Sequence, residues 1–327
     1  MIGLEHLWML AAAVAVDALL GDPDLLWRRA PHPVVLFGRL VAFLDGRLNR
    51  RHVAPATQKA AGTLAILLVV AVSAAAGWGL EFLFRQIPFG FVGTILVAAV
   101  LLAGRSLYDH VAAVAAAFAR GGIESARKAV SRIVGRDPGS LDEAGVSRAA
   151  IESAAENFSD GLVAPAFWFA VLGLPGLLAY KAINTADSMI GHRSARYLHF
   201  GWASARLDDL VNLPASRLAG ALVALAAPLA GGSIAAAFRT MVAEARNHLS
   251  PNARWPEAAM ASAPGTPPAG PRRYRGELVD DPYVNAAGRK RATADDIRRA
   301  LRVYLGAWGL VFVLAAAAGA AVLRWGS

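Results

Sequence analysis

The sequence predicts an all-α, polytopic integral membrane protein with about five transmembrane helices (four to six) and long basic cytoplasmic loops. Hydrophobic residues make up 56% of the chain and charged residues only 17%, whereas soluble globular proteins have about 25% charged residues. Several apolar runs approach the roughly 20 residues that a helix needs to cross a bilayer. A soluble chain of 327 residues usually forms two domains with polar surfaces, and this chain has too little polar sequence to cover them.

The apolar runs mark the helices in order along the chain. Leu7–Leu20 is short and contains Asp17, so it fits a short span, an interfacial helix or a re-entrant helix. Gly161–Ile190 carries Pro165 and Pro175, which fit a broken or re-entrant helix as well as a full crossing, and both readings stay open. The predicted spans are Ala61–Phe84, Phe89–Ala103, Gly161–Ile190, Leu213–Phe238 and Val303–Leu323.

The basic residues predict the orientation. Residues 21–60 hold seven Lys and Arg, residues 104–160 hold seven and residues 238–302 hold twelve, whereas the turn 84–88 holds one. Because cytoplasmic loops carry an excess of Lys and Arg, the three basic loops are predicted to be cytoplasmic. The chain is therefore interpreted as one polytopic domain over residues 1–327 of the cell (inner) membrane, with functional loops in the cytoplasm.

Composition also excludes several classes of protein. The chain has no Cys, which excludes disulfide scaffolds, zinc ribbons, iron–sulfur sites and thiol nucleophiles. Its net charge is +9, but the basic residues form no continuous stripe with interleaved aromatics, so nucleic acid is not an expected partner. The sequence has no phosphate loop, no dinucleotide fingerprint and no H-E-x-x-H motif, so a bound nucleotide would be held without a familiar local motif.

The first polar block covers residues 148–161. Glu152 and Glu156 stand four residues apart. On an exposed helix, the repulsion between two such carboxylates costs roughly a few tenths of a kcal/mol, and a bound cation would reverse this cost. Asn157 and Asp160 follow at the mouth of the next apolar tract. A solvated helix end and a binding site both explain this block. A helix would place four of its side chains on one face, namely Arg148, Glu152, Glu156 and Ser159.

The second polar block is a stripe along an otherwise apolar helix. Ionisable groups close to a membrane tract are costly and usually face a cavity or each other, which favours a site here. A structural ion pair of Lys181 is the alternative, but Lys is scarce in this chain. The stripe consists of Lys181, Asn184, Asp187, Ser188 and Gly191.

The third block follows within a few turns. Asp208, Asp209 and Asn212 supply the hard oxygen ligands that Mg²⁺ prefers. Arg206 and Arg217 flank them and suit phosphate oxygens. Capping of the following span by the two acids is the alternative.

The fourth block lies in a predicted turn. His248, Ser250 and Asn252 precede Pro256, which is typical of a helix start, so a connecting loop also explains them. The residues alone thus indicate a polytopic helical protein whose acid- and Asn-rich, Arg-flanked site suits Mg²⁺ and phosphate.

In this order, the blocks resemble the adenosylcobinamide-phosphate synthase family of cobalamin biosynthesis, of the CobD/CbiB type. The resemblance covers nearly the whole chain. This sequence departs from the family at Arg254, where Gly is usual, and in the Pro-rich loop 262–271. The matching segments are Asp17–Pro23, His32–Arg39, Ser106–His110, Gly135–Asp137, Glu152–Gly161, Tyr180–Gly191, Asp208–Arg217, His248–Asn252 and Pro256–Met260.

The resemblance implies an amide-forming ligase. It would attach aminopropanol, its O-phosphate or ethanolamine phosphate to a peripheral carboxylate of the corrinoid adenosylcobyric acid, with ATP as co-substrate and Mg²⁺ as cofactor. Besides the lipid bilayer, it implies a homo-oligomer or a complex with neighbouring cobalamin-pathway enzymes as partners. A corrinoid or small-molecule transporter is the alternative, against which the long loops and the lack of an obvious internal repeat argue.

Roles follow from the resemblance and from residue type, with all these residues expected to share one pocket at the cytosolic edge of the bundle. Catalytic work is assigned to Glu152, Glu156, Asp187 and Lys181. Metal binding is assigned to Asp160, Asp187, Asp208 and Asp209. Substrate binding is assigned to Asn157, Asn184, Ser188, Arg206, Asn212, Arg217, His248, Ser250 and Asn252.

Overall fold

The protein is mostly helical in a computed structural model, which confirms the predicted all-α class. Two short strands form a small antiparallel pair, with Arg272 opposite Val279 and Tyr274 opposite Glu277. The structure describes residues 5–22, 27–29, 31–50, 52–134, 138–245, 250–262, 272–274, 277–279 and 291–325. Its elements are α1 (Glu5–Leu20), α2 (Pro33–Leu48), α3 (Pro55–Arg85), α4 (Phe91–Leu101), α5 (Gly104–Val130), α6 (Glu143–Asn157), a π turn (Phe158–Val163), α7 (Ala164–Ala186), a second π turn (Asp187–Gly191), α8 (Trp202–Ala226), a 3-10 turn (Ala227–Ala230), α9 (Ile234–Glu244), α10 (Arg254–Ser262), β1 (Arg272–Tyr274), β2 (Glu277–Val279) and α11 (Ala294–Trp325).

Five stretches of the described chain are long and apolar enough to cross a membrane, which confirms the predicted number of spans. Helix α1 is not one of them. The fourth stretch begins at Trp202 rather than at the predicted Leu213, because polar residues such as Asp208 lie inside its helix and not ahead of it. The second continues beyond the predicted Ala103 through α5. The five stretches are Pro55–Arg85, Phe91–Val130, Glu143–Gly191, Trp202–Ala230 and Ala294–Val322.

The chain forms two compact units. Unit 1 contains residues 1–103, 164–212 and 312–327, and unit 2 contains residues 104–163 and 213–311. The polar stripe of α7 and the two adjacent aspartates of α8 belong to unit 1. The first polar block and the Ser-Pro-Asn turn belong to unit 2. Each unit therefore carries its own set of candidate site residues.

In unit 1, glycines allow α3 to approach its neighbours closely. A Cβ on Gly77 would lie 2.6 Å from the carbonyl of Leu174, and a Cβ on Gly62 would overlap the carbonyl oxygen of Phe200. Close packing through small residues is typical of helices in membranes. The two contacts place Leu174 beside the later part of α3 and Phe200 beside its beginning.

Helix α7 is broken at Gly173, in agreement with the Pro- and Gly-containing tract that the sequence shows. Gly173 has φ 66° and ψ −150°, a backbone conformation that a residue with a Cβ rarely adopts. A Cβ on Gly176 would lie only 2.5 Å from the carbonyl oxygen of Trp168. Eight residues of straight helix would separate these positions by about 12 Å, so the chain turns back at Gly173. Trp168 also donates its Nε1–H to the carbonyl of Val211 at 3.1 Å, so the first arm lies against α8.

The bend determines where the connection 192–201 lies in unit 1. At the beginning of α3, Lys59 lies over the ring of Trp202, 5.2 Å from its centroid. Near the end of α3, Glu81 accepts a hydrogen bond from the backbone N–H of Leu174 at 2.9 Å. The second arm of α7 therefore runs back along α3, and the connection 192–201 lies beside the beginning of that helix.

In unit 2, α6 packs against α5 and α10, and most of its side chains are buried. Asp142 caps its first turn by accepting the N–H of Gly145 at 2.7 Å. Ser153 donates a hydrogen bond to the carbonyl of Ile133 at 3.0 Å. The α-helical part ends at Asn157, where a π turn changes the helical period.

Candidate functional site

Three carboxylates meet between the end of α7 and the first part of α8, and we call Asp187, Asp208 and Asp209 the acidic cluster. They lie close enough together for their charges to interact. Two amides bind the middle member: Asn184 donates its Nδ2 to Oδ1 of Asp208 at 3.5 Å, and Asn212 donates its Nδ2 to Oδ2 at 2.9 Å. The structure thus brings together residues from two separate polar blocks.

Asn212 is fully engaged by protein groups. It is 1% exposed, and its Oδ1 accepts a hydrogen bond from the Tyr180 hydroxyl at 3.0 Å. Because its amide nitrogen binds Asp208, both ends of the amide are fixed. Tyr180 lies in a matching segment of the sequence but was not among the predicted site residues, since an aromatic residue in an apolar helix looks like ordinary core. In the structure, Asn212 positions Asp208.

Asp187 lies at the first position of the second π turn. A Cβ on Gly191 would overlap the Asp187 carboxylate, so the glycine leaves room for that side chain. π turns are frequent at functional sites. Ser188 is exposed, and its hydroxyl donates to the carbonyl of Asn184 at 2.9 Å.

Arg206 extends the acidic cluster toward solvent. It lies one turn before Asp209 on α8 and donates its Nη1 to that carboxylate at 3.4 Å. The side chain is exposed, so the ion pair is weak and solvated. One of the two arginines predicted to hold phosphate therefore lies directly beside the predicted metal-binding acids.

Lys181 lies one turn before Asn184 on α7 and interacts with His32, which belongs to a further matching segment. Lys181 is 9% exposed, and its charge acts on His32 at the start of α2. His32 caps this helix, because its Nδ1 accepts the N–H of Val34 at 3.2 Å. Burial holds the pKa of His32 below 6.5 against the opposing charge of Asp22, and Lys181 lowers this pKa further. His32 was not among the predicted site residues, although a histidine directly before Pro33 at a helix start was an available signal.

The connection 192–201 is tied to α2 beside this site. The carboxylate of Asp45, which is buried, accepts hydrogen bonds from Arg196 and from the Tyr197 hydroxyl, the latter at 3.3 Å. Asn49 donates to the same carboxylate at 2.8 Å. These residues were not predicted, because nothing in their spacing links α2 to a segment so distant in the sequence. The contacts of Asp45 thus fix the connection 192–201, which joins the turn that carries Asp187 to the helix that carries Asp208 and Asp209.

Unit 2 contains a second polar cluster. Oδ1 of Asn252 accepts hydrogen bonds from Arg217 Nη1 at 2.9 Å and from the Ser216 hydroxyl at 3.1 Å. The Arg217 guanidinium lies over the ring of Trp255, 4.9 Å from its centroid. Ser250 shapes the turn by accepting the N–H of Asn252 at 3.2 Å. The structure therefore brings together three predicted site residues from α8 and the Ser-Pro-Asn turn.

The predicted residues of α6 differ in their surroundings. Glu152 is buried, whereas Glu156 is exposed, so the two glutamates do not share one environment. Asn157 donates its Nδ2 to the carbonyl of Ser153 at 2.8 Å and to its hydroxyl at 2.9 Å. Asp160 lies half-buried in the π turn. The predicted continuous helical face ends at Asn157, because the period changes there.

Some expectations from the sequence need correction or stay open. The capping interpretation of Asp208 and Asp209 is wrong, because both lie well inside α8, which begins at Trp202. His248 and most of the Pro-rich loop 262–271 lie outside the described residues. The expectation that all the predicted residues share one pocket, and the roles assigned to them, stay predictions.

The acidic cluster has the donor chemistry that Mg²⁺ uses. Among the described residues, no group of three His, Asp or Glu side chains is arranged to hold a metal ion by itself. Mg²⁺ is commonly bound by one or two carboxylates, with water and substrate phosphates completing its coordination. Asp187 and Asp208 fit that mode, and Mg²⁺ binding stays a prediction.

Comparisons with known proteins agree with the resemblance. The chain matches the model of the family described as "CobD/Cbib protein" over residues 10–304. It is 54% identical over 316 residues to "Cobalamin biosynthesis protein CobD" of Sinorhizobium sp, covering 95% of this chain and 98% of that relative. The protein of the same name from Rhizobium meliloti (strain 1021) is 53% identical over 320 residues, covering 96% and 97%.

A more distant relative gives the same indication. "Cobalamin biosynthesis protein CobD" of Rhodobacter capsulatus is 48% identical over 303 residues, covering 90% of this chain and 92% of the relative. These names refer to biosynthesis, so they do not favour the transporter alternative. No solved structure matches the chain.

Proposed function

Because this chain belongs to the CobD/CbiB family of cobalamin biosynthesis proteins, we propose that it is an ATP-dependent, amide-forming ligase of that pathway. It attaches aminopropanol or its O-phosphate to a peripheral carboxylate of adenosylcobyric acid and yields adenosylcobinamide or its phosphate. The observation that carries the proposal is the acidic cluster of unit 1, together with Lys181 one turn before Asn184, the amide that binds Asp208.

The chemistry explains why such a site is suitable. A carboxylate does not react with an amine until one of its oxygens becomes a leaving group. Transfer of a phosphoryl or an adenylyl group from ATP to that oxygen makes it a leaving group. The amine nitrogen then attacks the carbonyl carbon, and the amide bond forms as the oxygen departs with the phosphate or with AMP. The ammonium form of the amine has to lose its protons, so the site needs a base as well as cations for the phosphates.

The residues of unit 1 divide this work. Lys181 provides a buried cation for phosphate oxygens, and Arg206 provides an exposed one. Asp208, held by Asn184 and Asn212, and Asp187 would hold Mg²⁺, which when bound neutralises phosphate charge. A carboxylate of this cluster that is not bound to Mg²⁺ accepts the proton of the amine.

Substitution of Asp187 tests the proposal. Purified protein in detergent receives adenosylcobyric acid, aminopropanol phosphate, ATP and Mg²⁺, and the amide product is measured by liquid chromatography with mass spectrometry, together with ADP and AMP. Asp187→Asn preserves size but removes a negative charge that would hold Mg²⁺ beside the phosphates, so we expect product formation to fall by about 100-fold or more.

The matched control is Asp295→Asn. Asp295 is an exposed aspartate that pairs with Arg298 in the first turn of α11. We expect this variant to retain activity within about twofold, because exposed ion pairs contribute little. Near wild-type activity of folded Asp187→Asn, or no amide product from the wild-type protein, would contradict the proposal.

A further inference from the structure

A polar cavity lies in unit 1, at the opposite end of α3 from the acidic cluster. Its volume is about 230 Å³, which is large enough for a small polar group. It is lined by side chains from α1, from the end of α3 and from the start of α4. Its buried part includes His6, Glu81 and Thr94, and its exposed rim includes Glu5, Arg85 and Phe89.

Glu81 is fixed at the base of the cavity. Its Oε1 lies 3.1 Å from His6 Nε2 and accepts the N–H of Leu174 at 2.9 Å. Both contacts use the same oxygen, so Oε2 remains for a cation in the cavity. His6 is 3% exposed, and its Nδ1 has no hydrogen-bond partner in the described part of the chain. Ionisable groups buried in a membrane span usually mark a functional site, because burying them without use is costly.

The rim combines a cation with exposed aromatic rings. Arg85 is exposed, and its charge acts on Glu81 one turn earlier on α3, although the two side chains form no close ion pair. Phe89 is 78% exposed and adopts a φ of 59°, which is rare for a bulky side chain. Its ring packs edge-on against Phe91, with 6.3 Å between centroids. An arginine near the end of a membrane-spanning helix usually extends its guanidinium to the level of the lipid headgroups.

The position of the cavity in the chain also places it at the level of the lipid headgroups. The turn 86–90 connects two of the candidate membrane spans, so in a bilayer it lies at a membrane face. The cavity at this turn therefore opens where lipid headgroups are found, with apolar rings on its outer side. Its lining offers a guanidinium for an anion and carboxylates for a cation.

We infer that this cavity binds the headgroup of phosphatidylethanolamine. The phosphate pairs with Arg85, the ammonium donates hydrogen bonds to Glu81 and Glu5, and the acyl chains lie along Phe89 and Phe91. Phosphatidylcholine lacks ammonium N–H donors, and phosphatidylglycerol lacks the cation. The inference does not depend on the proposed ligase activity, because the cavity lies at the other end of α3.

Native mass spectrometry of the full-length protein tests the inference. The detergent-purified protein is offered equal amounts of phosphatidylethanolamine, phosphatidylcholine and phosphatidylglycerol. We expect phosphatidylethanolamine to be retained about tenfold more than either other lipid, and Arg85→Gln to lower its retention about tenfold, since one charge-assisted hydrogen bond contributes that much. Equal retention of the three lipids, or unchanged retention in Arg85→Gln, would overturn the inference.

Two further variants are measured in the same way. Glu81→Gln is expected to abolish the preference for phosphatidylethanolamine over phosphatidylcholine, and an unchanged preference would contradict the assignment of the ammonium. If this buried variant fails to fold, Arg85→Gln still decides, because Arg85 is exposed. Arg298→Gln, which changes an exposed arginine at the start of α11, is the matched control and is expected to retain lipid as the wild type does.

A competition experiment distinguishes a lipid from a soluble ligand with the same headgroup chemistry. Free phosphoethanolamine, at the same concentration as the lipid, is expected not to displace phosphatidylethanolamine, because it has no acyl chains to contact the aromatic rim. Displacement at that concentration would assign the cavity to a soluble phosphoamine and overturn the lipid assignment.

Discussion

Asn212 illustrates how one buried amide fixes the charge beside it. Its Oδ1 accepts the hydrogen bond of the Tyr180 hydroxyl, and its Nδ2 binds Asp208. An amide bound at both ends cannot turn over without breaking both bonds. The orientation of Asp208 therefore depends on a residue that need not touch any substrate.

At the residue scale, we expect Asn212→Ala to destabilise the protein by about 2 kcal/mol, because it removes the acceptor of the buried Tyr180 hydroxyl and one of the two amides that bind Asp208. Tyr180→Phe removes a single hydrogen bond and is expected to cost about 1 kcal/mol. Unfolding of each variant in detergent, followed by circular dichroism, measures both losses. Wild-type stability of Asn212→Ala would show that the bonds contribute nothing.

The charged members of the acidic cluster could be predicted from the sequence, but their partners could not. Asp187 and Asp208 stand out because ionisable residues are rare within apolar helices. Tyr180 does not stand out, because its ring suits an apolar core as well as a hydrogen-bond network. Asp45 was missed for another reason, since only the fold brings α2 beside Arg196.

At the scale of the element, the break in α7 depends on a glycine supported by a neighbouring helix. Gly173 has a left-handed backbone, and a Cβ there would overlap Glu81 and lie 2.6 Å from the His6 ring. Pro175 follows at the start of the second arm, where a missing N–H costs little. The sequence draws attention to the prolines of this tract, but the glycine provides the turn.

We therefore expect Gly173→Ala to reduce the yield of folded protein severely, because it adds backbone strain and a clash in the same place. Gly79→Ala on α3 is the matched control, since a Cβ there meets nothing within 4 Å and alanine favours a helix. Size-exclusion chromatography in detergent compares the two variants. A monodisperse Gly173→Ala protein in wild-type yield would contradict the role of this glycine.

At the scale of the whole molecule, the sidedness of unit 1 follows from its contacts. The connection 192–201 lies beside the beginning of α3, whereas the turn 86–90 follows the end of that helix. The number of spans was predictable from hydropathy, because apolar runs of sufficient length are visible in the sequence. The reversal inside the third run was only one of two readings that the sequence left open, because hydropathy does not record direction.

Single cysteines test this arrangement, and the chain has none of its own. Because the basic loops are predicted to be cytoplasmic, Gln86→Cys should react with a membrane-impermeant maleimide in cells whose outer membrane alone is permeabilised. His52→Cys and Ala195→Cys, both at exposed positions, should react only after lysis. If Ala195→Cys behaved like Gln86→Cys, the turned-back course of α7 would be wrong.

The bend at Gly173 has a consequence for biosynthesis. The arm from Ala164 to Leu172 has about nine residues and is roughly 14 Å long, less than half the thickness of the hydrocarbon layer. Neither this arm nor the second arm of α7 can anchor in the bilayer by itself while the nascent chain leaves the ribosome. The two have to partition into lipid as a pair, after Glu81 on the earlier helix is in place to receive their apex.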